Sequence, residues 1–182
     1  MPPVLISKLT ILIVLWGAQK FLRPPLLLRV SKIIFLISVI GIFAISAYWT
    51  YWQYQIWDDN EMTKIFLPPH RGIGYFIQYA FTNFYFKELA ALGSAILALF
   101  LAKLLNKRFR ERFFWPAEPW ILATAILLIG HPWFLVYLPG FFVIYLLLTG
   151  IYSIFRKGER VSPYYLWIPV ALITLMLGYF RG

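Results

Sequence analysis

Ionisable side chains are scarce in this chain, so the few that gather stand out. Residues 55–74, QIWDDNEMTKIFLPPHRGIG, hold Trp57, Asp58, Asp59, Glu61, His70 and Arg71. The second histidine, His131, stands in a separate HPWF segment. Carboxylates beside an imidazole can hold a divalent cation or carry acid–base chemistry. Asp58, Asp59, Glu61 and His131 are therefore the candidate catalytic group, with His70, Arg71 and Trp57 as candidate substrate contacts. The spacing names no metal or cofactor. Neighbouring Asp58 and Asp59 diverge on a helix or strand, and no two histidines stand at i and i+4. The competing explanation for the cluster is an acidic loop that closes a helix end beside lipid headgroups.

Other reaction classes fail on the letters. The chain has no cysteine, which removes thiol nucleophiles and Cys-ligated metals. A rhomboid-like serine would need a Gly-x-Ser-Gly setting; Ser94 sits in LGSAI, where alanine replaces the second glycine, and reads as a packing residue. The paired-glutamate motif of intramembrane proteases and the Lys/Arg signature of lipid phosphatases are both absent. One order of features is suggestive. Residues 56–105 run from an acidic doublet through PPHRGIGYFIQY and an Ala/Leu-rich helix into a basic KLLNKRFRER end. This order resembles the start of C-type-fold membrane glycosyltransferases, which use lipid-linked sugar donors. The resemblance implies that Asp58 or Asp59 is the catalytic acid or a metal ligand.

The elements that must position these residues follow from composition. Of 182 residues 62% are apolar and only 13% charged. Soluble domains are usually about half apolar and a quarter charged, so this chain has too little polar surface to cover itself. Disorder is excluded by the same figures. The chain is predicted to be all-α: a polytopic transmembrane bundle forming one integral membrane domain over 1–182.

A spanning helix needs ~20 mostly apolar residues. Four stretches qualify: Val4–Leu22, Lys32 to about Trp57, Leu89–Leu105 and Tyr164–Phe180. A fifth run, Pro119 to Phe155, would be about 55 Å long as one helix, too long for a single crossing. Gly130-His131-Pro132 interrupts it, and proline cannot continue the ladder. A tight hairpin there gives a short helix, Ala117–Gly130, and a longer one, Trp133–Phe155. Six crossings result.

The charge pattern tests that count. The net charge is +10, from 17 Lys+Arg against 7 Asp+Glu. Most of the basic residues fall in three groups: Lys20 to Lys32, Lys103 to Arg112, and Arg156 to Arg160. Cytoplasmic loops carry the Lys/Arg excess. Six crossings with both termini outside put all three groups on one side, and both histidines on the other. The excess is then an orientation signal, and nucleic acid is not an expected partner. The first stretch reads as a permanent helix, since no small-x-small cleavage site follows it.

Aromatic residues, 20% of the chain, crowd the far end of the second helix as Tyr48, Trp49, Tyr51, Trp52, Tyr54 and Trp57. Such rings favour the headgroup zone. Residues 72–86 are too short to span and too apolar for a free loop. They either lie flat in the interface or run on into the third helix as a protruding rod. The function read from these features is a binding, assembly or scaffold subunit of the cytoplasmic membrane. Its expected partners are the lipid bilayer and another membrane protein. The alternatives are an enzyme built on the outer acidic loop, and a small-solute transport or substrate-binding subunit.

Overall fold

A computed structural model describes residues 3–109, 114–155 and 163–181. The protein is all-α. Among the described residues eight α-helices follow in order: α1 (Pro3–Phe21), α2 (Pro24–Asp59), the single turn α3 (Glu61–Lys64), α4 (Ile73–Ala80), α5 (Phe86–Arg108), α6 (Glu118–Ile129), α7 (Phe134–Phe155) and α8 (Trp167–Arg181). A π-helical turn, Phe81–Tyr85, joins α4 to α5 without a break. Five helical segments are long and apolar enough to cross a membrane: α1, α2, the continuous rod Ile73–Arg108, α7 and the segment Pro163–Arg181. The sixth apolar helix, α6, has only 12 residues.

α6 is the hub. Every side chain from Glu118 to Ile129 except Trp120 is buried. A helix that is apolar all round must be enclosed on all sides. Here α5 and α2 supply most of the enclosure, α8 packs on a third side, and α1 and α7 complete it. The face that α5 turns inward carries Ala91, Ala95 and Ala102, all buried. Small residues let helix backbones approach closely, which matters most where lipid offers no hydrophobic drive between helices. On α2 the buried face is drawn in serine as well as leucine and isoleucine: Ser31, Ser38 and Ser46. Ser38 donates to the Ile34 carbonyl at 2.7 Å, folding its hydroxyl back on its own helix.

The hairpin expected at Gly130-His131-Pro132 is present, between α6 and α7. Gly130 ends α6 at φ 79° and ψ 172°, a region open essentially to glycine alone. Its carbonyl accepts from the Phe134 amide at 3.0 Å, starting the return helix. Gly178 on α8 is the second glycine with a packing reason. A Cβ there would lie 3.1 Å from ring atoms of Trp133, so its absence lets the indole rest on α8.

Two boundaries differ from the sequence reading. α2 starts at Pro24 rather than Lys32, because Pro24 and Pro25 occupy the first helical turn, where a missing N–H costs nothing. The third long helix starts at Ile73 rather than Leu89, so residues 72–86 take the protruding-rod alternative. α2 and the rod are each 36 residues, or about 54 Å at ~1.5 Å per residue.

Replacing Gly130 by alanine is expected to destabilise the bundle by about 1–3 kcal/mol, from the forbidden backbone angle alone. Thermal unfolding of the detergent-solubilised protein measures it. A neighbouring Ala substitution at Phe142, exposed on α7, is expected to change the midpoint little.

Candidate functional site

The α2 end, the α3 turn and α4 build a separate aromatic head. Trp57, Leu67, Phe76 and Ala80 form its core, and Tyr54, Phe66, Tyr79 and Phe84 pack around it. The Trp57 indole is the centre, with ring centroids of Phe76, Phe66, Tyr75 and Tyr79 at 5.4, 5.8, 6.3 and 4.7 Å. The sequence builds this locally. Asn60 stops α2 and caps the next turn, its side chain accepting from the Met62 amide at 2.9 Å. The chain then folds Phe66 and Leu67 back over Trp57. Thr63 ties the turn down by donating to the Trp57 carbonyl at 3.3 Å. The π turn fits the same junction: Ser46 donates to the Phe84 carbonyl at 3.0 Å, one of the groups that such a turn leaves out of the regular ladder.

The sequence candidates occupy this head unevenly. Asp58 pairs with Lys64 at 3.3 Å, with both side chains about half exposed. Asp59, Glu61 and His70 are exposed. Arg71 lays its guanidinium over Tyr75, 3.8 Å from the ring centroid, and near Phe66 at 6.0 Å. Trp57 is 9% exposed and engaged by rings on several sides, so it holds the head together. The carboxylates, His70 and Arg71 thus share one surface around an aromatic core.

His131 lies elsewhere. α6 and α2 are in register where Phe35 meets Trp120, ring centroids 5.7 Å apart. From that level α6 rises about 15 Å to Gly130, while α2 rises about 35 Å to Asp58. The histidine therefore sits roughly 20 Å short of the acidic turn along the bundle axis. Its ring stands 5.9 Å from that of Phe134, and its Nδ1 is buried with no partner among the described residues. The described residues contain no group of three or more His, Asp or Glu able to hold a metal ion. Beside this turn a cavity of about 230 Å³ opens between Leu5 and Lys8 of α1, Ile129, Trp133, and Leu175 and Gly178 of α8.

At the opposite, basic end stands a carboxylate that the sequence reading did not single out. Glu118, 1% exposed, begins α6. It accepts from the Trp115 amide at 2.6 Å and from the Trp167 indole N–H at 3.3 Å. Trp167 in turn stacks on Phe141, centroids 3.7 Å apart, and its carbonyl accepts from the Tyr137 hydroxyl at 3.0 Å. Gln19 and Tyr164 exchange hydrogen bonds beside them, tying α1 to the start of α8. The signal was present: an acidic residue followed by proline, opening an apolar run, marks a helix start. Glu118 fastens α6 to α8. Its two acceptor oxygens are both used.

No protein-family model matches the chain, and no curated protein or solved structure does. The fold itself defines the class: a helical protein with the lengths and apolarity of an integral membrane protein.

Truncating Trp57 to alanine is expected to cost about 3–5 kcal/mol, the usual range for a large buried aromatic. The loss falls on the head alone. Trypsin is then expected to cut after Lys64 and Arg71 much faster than in the parent protein, while the unfolding midpoint of the bundle stays in place.

Proposed function

We propose that this chain is a multi-pass subunit of the cytoplasmic membrane whose aromatic head is a docking element for another membrane protein. The observation that supports it is a mismatch of length. Lys32 of α2 and Lys103 of α5 both lie against Trp120. Lys87 marks the far end of the apolar part of α5, about 24 Å away along the helix. With snorkelling lysines at both ends, that interval fits a hydrocarbon core of ~30 Å. Beyond it α2 continues from about Ala47 to Asp59 and the rod extends back to Ile73. The head thus stands about 20 Å outside the bilayer.

A head standing in water would not carry the side chains this one does. Tyr48, Tyr51, Trp52, Ile56, Ile73 and Ile77 are all exposed, along with Met62 and Ile65. Contiguous exposed apolar surface of that kind marks an interaction face. The surrounding charges are few, with Asp59, Glu61, Lys64 and Arg71 near the tip. A partner with an apolar helical face and a polar rim suits it. In this reading both termini lie outside, the three Lys/Arg groups face the cytoplasm, and α6, about 18 Å long, rises only partway from the basic end before the His131 turn sends the chain back in α7. The third basic group, Arg156, Lys157 and Arg160, and Arg110 and Arg112 of the second lie outside the described residues.

The second reading is catalytic, and rests on carboxylates that adjoin an aromatic surface, an arrangement suited to saccharides. It assigns chemistry to Asp58, Asp59 and Glu61, with His70 and Arg71 as substrate contacts and His131 outside the group. The two readings separate by experiment. A photo-crosslinking residue at Tyr51 or Ile77 is expected to capture a second membrane protein in intact cells, while one at Leu147 on α7 captures none. Asp58→Asn with Asp59→Asn is expected to leave that capture unchanged. Sugar transfer from a polyprenyl-phosphate donor by the purified protein, lost in the double variant, would establish the enzyme instead.

A further inference from the structure

Trp120 is the only side chain of α6 that reaches the surface. It does so through a fissure. Near Ser46 and Phe84, α2 and the rod touch directly through the hydrogen bond between them. α2 and α5 each pack far more on α6 than on each other. Trp120 is the floor of the opening, held from one side by the edge-on ring of Phe35. Lys32 from α2 and Lys103 from α5 form its rims, with Nζ atoms 5.7 and 4.5 Å from the indole centroid. Both lysines are exposed, and neither pairs with a carboxylate among the described residues.

We propose that this fissure binds the phosphate of an anionic phospholipid in the leaflet at the basic end of the bundle. The inference rests on the bilayer reading above and is independent of the docking head. Charge complementarity carries it. Two ammonium groups from different helices are drawn to one indole ring, whose quadrupole holds a cation but does not neutralise it. A lysine is a compact point charge suited to phosphate, and two of them accept one phosphate between them. The exposed Ile33 and Leu36 of α2 and Phe100 of α5 continue from the two lysines into the apolar zone, where acyl chains lie.

The test uses the full chain in a neutral detergent. Phosphatidylglycerol is expected to raise its unfolding temperature, and phosphatidylcholine or inorganic phosphate is not. Lys32→Gln with Lys103→Gln is expected to lose most of that rise, whereas Lys32→Arg with Lys103→Arg keeps it. Lys20→Gln with Lys107→Gln removes the same charge from the same end and is expected to keep it too. Native mass spectrometry of Trp120→Leu is expected to show less retained phosphatidylglycerol than the parent, which reads the floor without altering charge. Equal loss in both glutamine pairs would reduce the effect to diffuse attraction and overturn the site. So would an undiminished rise in the Lys32/Lys103 pair, or an equal response to inorganic phosphate.

Discussion

The structure depends on enclosing a helix that is too short for its surroundings. α6 has 12 residues, about 18 Å, and is apolar around its whole circumference. In water such a helix is driven inside by the hydrophobic effect. In lipid that drive disappears between helices, and shape has to replace it. The solution is visible on α5, where Ala91, Ala95 and Ala102 bring its backbone against α6, and on α6 itself, where Ala123 and Ala125 are fully buried. Polar fastenings secure the ends. Glu118 ties the foot of α6 to Trp167, and Gly130 turns its head into α7. One large apolar cluster spans α1, α2 and α5 to α8 as a result.

The mismatch then dictates what the longer helices do. α2 and the rod lie against α6 for only part of their 36 residues. Past its upper end they meet each other through Ser46 and Phe84, then through the rings around Trp57. Near its lower end Trp120 lies between Lys32 of the one and Lys103 of the other. A second, smaller core arises only because two long helices continue where the central one has stopped. The head and the fissure are thus two consequences of one short helix.

Much of this was legible in the sequence. Hydropathy located the long apolar helices because a bilayer-scale run of apolar residues leaves little ambiguity. The Gly130-His131-Pro132 turn was legible because glycine and proline act through the backbone, independent of neighbours. The start of the rod was open, since residues 72–86 satisfy an interfacial helix and a protruding one equally well. Packing of Phe76 and Tyr79 on Trp57 decides it, and that contact is tertiary. The burial of Glu118 was not legible for a related reason: only the indole of Trp167, far along the chain, makes it tolerable. Trp57 was read as a substrate contact from its neighbours in sequence. In three dimensions those neighbours give way to rings from α4 and the Phe66 turn.

The same geometry weighs the acidic turn. Catalysis by paired ionisable groups needs them within hydrogen-bond reach of one reacting atom. Asp58 is engaged with Lys64, Asp59 and Glu61 face outward, and the imidazole of His131 is set by α6, which ends well below. No small movement of side chains closes that gap, because α2 and α6 are locked in register by Phe35, Trp120 and the alanine face of α5. The turn does supply what a recognition surface needs: a rigid aromatic platform, a stacked guanidinium and a rim of both charges. Rigid aromatic and arginine anchors are the residues that dominate binding energy at interfaces. In the docking reading proposed above, these are the groups that hold the partner.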